Sequence, residues 1–139
     1  MINTLKNGVL IAVALLLAAS GCGDARLAKV TGKLTYKGQP VPSTYVTFSP
    51  DDGSRPSRGL TDDYGQFALR FTHRDQGAIL GHHKVYLTYN PSGEEDAGKV
   101  APKADRNLQK IIARYSNPSK TELQFDVTTN GQFIEIKLD

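Results

Sequence analysis

The chain has no tryptophan and a single cysteine, Cys22, among its 139 residues. One cysteine cannot close an intramolecular disulfide, so the fold must be held by packing alone. No apolar run reaches the ~20 residues that a membrane-crossing helix needs; the longest, VLIAVALLLAA, extends only from Val9 to Ala19. Neither sign of charge dominates. The 17 Lys and Arg residues stand against 14 Asp and Glu, a formal net charge of +3. The two signs alternate without a basic cluster, which leaves no ground for nucleic-acid binding. Catalytic signatures are missing as well. There is no Gly-x-Ser-x-Gly elbow, and the three histidines and scattered serines are too common to define a triad. No enzymatic activity, metal or cofactor is expected.

What the chain does have is an address. The Val9–Ala19 run, preceded by Lys6 and the amino terminus, has the build of a secretory signal peptide. It stops at Ala19-Ser20-Gly21-Cys22. This tetrad resembles a bacterial lipobox, although Leu is usual where Ala19 stands. The resemblance implies cleavage between Gly21 and Cys22 and acylation of Cys22. Residues 1–21 are then the signal peptide, 22–27 a lipidated terminus with a short tether, and 28–139 a single β-domain. Each buried methylene contributes ~0.8 kcal/mol, and stable anchoring takes more than one chain, a condition that a multiply acylated cysteine meets. Gly23 to Arg26, at ~3.3 Å per extended residue, reaches roughly 15 Å, so the domain would sit close to the lipid. Gly23 rather than Asp follows the cysteine. By resemblance to the enterobacterial sorting rule, this implies the outer membrane.

From Ala28 onward, continuous apolarity gives way to alternation. Val30, Gly32, Leu34 and Tyr36 lie on one face; Val46 and Phe48, then Phe67, Leu69 and Phe71, repeat the pattern. So do Val85, Leu87 and Tyr89; Leu123, Phe125 and Val127; and Ile134, Ile136 and Leu138. Period two marks half-buried strands, because successive side chains point to opposite faces. Arg58 to Thr61 is a weaker seventh candidate. Lys37-Gly38-Gln39-Pro40 and Asp62-Asp63-Tyr64-Gly65 read as turns. Asn130-Gly131 reads as a tight hairpin between the last two strands. Seven short strands with frequent turns predict an all-β, antiparallel sandwich.

Asn90 to Lys120 interrupts the alternation, and such a stretch is long for an unstructured loop in a compact domain. Leu108, Ile111, Ile112 and Tyr115 within it have helical spacing. They predict either one short helix in the 104–115 region or an irregular loop pinned by the same side chains.

The segment Val30-Thr31-Gly32-Lys33-Leu34-Thr35-Tyr36-Lys37-Gly38-Gln39-Pro40-Val41-Pro42 resembles the opening of carboxypeptidase regulatory-like domains. Thr61-Asp62-Asp63-Tyr64-Gly65-Gln66-Phe67 is similar to their Thr-Asp-x-x-Gly-x-Phe hairpin, and Gly81-His82-His83-Lys84-Val85 to a later strand. Ala113 to Pro118 and the following residues look like the C-terminal part of small planctomycete lipoproteins. The resemblance covers the whole chain after Cys22 and implies a transthyretin-like, Greek-key β-sandwich. It implies little about activity. The urate-pathway hydrolase of that fold ends in a Tyr-Arg-Gly-Ser type motif, whereas this chain ends Phe133-Ile134-Glu135-Ile136-Lys137-Leu138-Asp139.

Three groups of residues merit attention as sites. Asp51-Asp52 and Asp62-Asp63 offer oxygen ligands of the kind calcium takes. Aspartate is also a turn residue whose carboxylate binds nearby amides, and the spacing is not that of a calcium loop. His73, His82 and His83 suggest a transition metal, but neighbours on a strand face opposite ways and cannot share one ion. We read His82-His83 as a partly exposed pair at a strand start. Tyr45 and Tyr86 fall off the predicted core faces, where exposed aromatics stack on sugars or anchor protein partners. Tyrosine on the solvent side of a sheet also serves as cross-strand packing.

The expectation is a membrane-anchored lipoprotein of the cell envelope, held by its acyl chains. Its β-sandwich would be a non-catalytic binding or structural module for an envelope protein or glycan, with Tyr45 and Tyr86 as candidate contacts. The alternative is a small-molecule hydrolase or metal-dependent enzyme using His73, His82 or His83.

Overall fold

The structure, a computed structural model, describes residues 26–90 and 105–139. The signal segment, Gly21, Cys22 and the stretch between Asn90 and Asp105 lie outside the described residues. Ten strands and one helix follow in order: β1 (Leu27–Ala28), β2 (Val30–Tyr36), β3 (Gln39–Pro40), β4 (Thr44–Pro50), β5 (Ser57–Leu60), β6 (Gln66–Ala68), β7 (Ala78–Ile79), β8 (Gly81–Tyr89), α1 (Arg106–Ala113), β9 (Gln124–Val127) and β10 (Gln132–Leu138). The seven strands expected from alternation are all present. The other three are two-residue pairings, too short for a period to register.

The strands form two four-stranded sheets and a small β1–β7 pair. In the first sheet β2 is central: β10 lies on one side, and β3 and β6 share the other. The second sheet has the order β5-β4-β8-β9 and is antiparallel throughout. Val30, Leu34, Phe67, Ile134, Ile136 and Leu138 of the first sheet share one buried cluster with Val46, Phe48, Val85, Leu87 and Val127 of the second. The chain is therefore an all-β sandwich with its core between the sheets. Large-to-small changes here leave cavities; Phe48, which is fully buried, is at the centre.

Two details correct the sequence reading. β10 runs parallel to β2, from Gln132 opposite Val30 to Leu138 opposite Tyr36, so the sandwich is not purely antiparallel. Asn130-Gly131, consequently, is not a hairpin turn. β9 belongs to the second sheet and β10 to the first, and the dipeptide carries the chain across the sandwich. Gly131 has φ +81°, the left-handed conformation that glycine tolerates at little cost. The Lys29 amide donates to the Asn130 side-chain oxygen, and the Gly131 amide donates to the Lys29 carbonyl. This pins the start of β10 beside β2.

The short helix forms where the apolar spacing predicts it. Asp105 caps it, its carboxylate accepting from the Asn107 and Leu108 amides. Ile112 is buried, and Leu108, Ile111 and Tyr115 pack beside the core cluster. No helix among the described residues is long and apolar enough to cross a membrane.

Candidate functional site

The outer face of the second sheet carries Tyr45 on β4 and Tyr86 on β8, both half-buried. Tyr45 lies opposite Thr88 and Tyr86 opposite Thr47, which makes the two tyrosines diagonal neighbours. Diagonal positions on antiparallel strands are roughly 7–8 Å apart, within reach of aromatic side chains. They line a depression of about 340 Å³ with Thr47, Thr88, Pro56 and Arg58. A second hollow of about 420 Å³ shares Tyr45, Pro56 and Arg58 and continues past Arg55 and Arg70 to Phe71, Thr72 and His73. Together they make one furrow, crossing from the second sheet onto the segment that follows β6.

The furrow's position follows from the close approach of β5 and β6. A Cβ at Gly59 would collide with the Ala68 carbonyl, so only glycine lets the two strands come this near. Beyond β6 the chain stays alongside β5: the Arg58 amide donates to the Arg70 carbonyl at 3.1 Å, and the Arg70 amide to the Arg58 carbonyl at 2.9 Å. Arg58 and Arg70 are thus directly opposite residues, both exposed. The Arg58 guanidinium lies over the Tyr45 ring, 4.7 Å from its centroid. Phe71, which alternation placed on the core face, is half-buried and lines the furrow instead.

The three histidines do not converge. His73 is exposed at the far end of the furrow. His82 is exposed on the β8–β9 edge, where its Nδ1 is 2.6 Å from an Asp126 carboxylate oxygen and its Nε2 is 3.0 Å from Gln124 Oε1. Both neighbours are acceptors, so the protonated ring, with two N–H donors, is the form that satisfies them. These bonds, Asp126 first and Gln124 second, raise the His82 pKa above its ordinary value, with Asp51 at 3.8 Å adding its charge. Asp51 and Asp126 flank opposite ring nitrogens rather than converging on one point. Among the described residues no group of three or more His, Cys, Asp or Glu side chains is arranged to hold a metal ion.

His83 corrects the reading of an exposed pair: it is fully buried. Its Nε2–H donates to the Ile79 carbonyl at 2.7 Å, and its ring packs on Phe48 with centroids 5.7 Å apart. The signal was available, since position 83 shares the parity of Val85 and Leu87 on β8. One aspartate of each pair acts in a turn. Asp52 accepts from the Ser54 amide, and bonding to Ser54 holds its carboxyl below the usual range. Asp62 accepts from the Tyr64 and Gln66 amides.

Alternation found the tyrosines but not their setting. Arg55, Arg58 and Arg70 lie on separate stretches of chain, and nothing local in the sequence announces that they meet. Comparison of the chain with family models, with curated proteins and with solved structures gave no match.

Proposed function

We propose that the protein is a lipoprotein of the cell envelope, anchored to the membrane by its acyl chains, whose non-catalytic β-sandwich binds an envelope component. Attachment rests on Cys22 and the lipobox-like Ala19-Ser20-Gly21-Cys22, and the contact surface is the outer face around Tyr45 and Tyr86. The observation that carries the binding role is the furrow itself. Two tyrosines that need not have met are diagonal neighbours on one face, in a hollow of about 340 Å³, the size that ligands occupy. Separation of the three histidines supports binding over catalysis, because a general base needs a nucleophile or substrate group within hydrogen-bond reach. The resemblance to carboxypeptidase regulatory-like domains supports the same role, as those domains lie outside the zinc centre of the enzymes that carry them.

The test is photo-crosslinking in live cells with the probe at Tyr45 or Tyr86, against a control probe at Lys137. A dominant crosslinked envelope component from the first two positions alone is expected. Equal background from all three would overturn the reading. For the anchor, a clickable palmitate analogue should label the protein and fail to label Cys22→Ala; label retained in that variant would overturn lipidation at Cys22.

A further inference from the structure

Arg58 and Arg70 present an unusual pairing. They exchange both backbone hydrogen bonds, so their Cα atoms are about 5.5 Å apart and their side chains leave the same face. Like charges directly opposite on neighbouring strands destabilise a sheet. Arg55 adds a third guanidinium to the same wall. Among the described residues no Asp or Glu lines the furrow, and no ion pair engages any of the three arginines. Asp75, close in sequence to Arg70, accepts instead from the Thr72 hydroxyl at 2.7 Å. The fold holds three cations together, and among the described residues none of them has an anion as partner.

We propose that this furrow binds an acidic saccharide, a sugar chain bearing carboxylates. The inference rests on the binding-module reading above and names its ligand class. Guanidinium groups match a carboxylate through two parallel N–H···O bonds, and an anion between Arg58 and Arg70 removes their repulsion. Arg58 is preorganised by its seat over Tyr45. The furrow is larger than one oxyanion requires, and the remainder is lined by what a sugar ring contacts. Tyr45, Tyr86 and Phe71 offer aromatic surface, and Thr47 and Thr88 offer hydroxyls. An acidic peptide would most simply add a strand to the edge of β5, but at Arg58 that edge is already closed by Arg70.

The experiment is isothermal titration of the detergent-solubilised full chain with a galacturonic acid tetramer. Its neutral galactose counterpart, inorganic phosphate and phosphatidylglycerol vesicles are run alongside. The galacturonate tetramer should bind and the neutral tetramer should not. Arg58→Gln with Arg70→Gln should weaken binding at least about tenfold, the loss of a charge-assisted pair, while thermal melting shows the variant folded. Tyr45→Ala should weaken it severalfold. Equal or tighter binding of phosphate or vesicles would overturn the inference in favour of a general anion or lipid site. No galacturonate binding, with a dominant protein crosslink from Tyr45, would overturn the saccharide and leave the binding module standing. No galacturonate binding and no crosslink would overturn both.

Discussion

The two ends of the second sheet treat charge in opposite ways. At the β8–β9 edge, His82 has a carboxylate on one ring nitrogen and an amide oxygen on the other, with Asp51 nearby. At the β5 edge, three arginines line one furrow, and no carboxylate of the described residues is among its walls. The first arrangement is complete in itself and ties neighbouring strands together. The second is incomplete and costs the sheet some stability, since opposed like charges repel. A polar cluster that satisfies its own members is explained by the fold; one that does not calls for something outside it.

The largest effect should come from the core on which both ends depend. Phe48 packs against His83 and Phe125 with no exposure. Phe48→Ala should cost about 3–5 kcal/mol, read as a fall in urea midpoint with the slope unchanged. A loss well below this would mean that the two sheets do not share one core at this point.

A smaller effect of opposite sign is expected at the furrow. Replacing Arg70 with Gln removes an opposed charge and should stabilise the chain by about 0.2–1 kcal/mol, at low salt more than at high salt. Stability that falls instead would show that the arginines hold the seam together, and the contrast between the two ends would disappear.

The smallest effect belongs to His82. Its folded pKa is raised, so its contribution is fully present below the unfolded value of about 6.5. That contribution is lost as pH rises through the higher folded value. Titration of the His82 ring protons by NMR should give a midpoint above 6.5, and Asp126→Asn should lower it. An unchanged midpoint in that variant would remove Asp126 as the cause. Because the pair is exposed, its effect on melting should be the slightest of the three.

Much of the architecture is legible in the sequence. Val85, Leu87 and Tyr89 fall on the inner face of β8, Ile134, Ile136 and Leu138 on that of β10, and both strands lie where alternation puts them. Leu108, Ile111 and Ile112 likewise mark α1. Tyr45 and Tyr86 follow from the same parity. His83 shares that parity too, but two adjacent histidines at a strand start read as a surface pair. What had no local signal was the company each strand keeps. Asn130-Gly131 has the chemistry of a hairpin turn, and the same positive φ serves equally well to cross between sheets.

By itself, then, the sequence determined which residues form strands, which face of each is buried and where the helix lies. These follow from the two-residue repeat of a pleated strand and the 3.6-residue repeat of a helix, both properties of the local backbone. Only the tertiary structure decided that β10 runs parallel beside β2, that His83 enters the core, and that Arg58 and Arg70 stand opposite one another. Those outcomes depend on pairings between distant stretches of chain, set by how the two sheets close over one core rather than by any residue's neighbours in sequence.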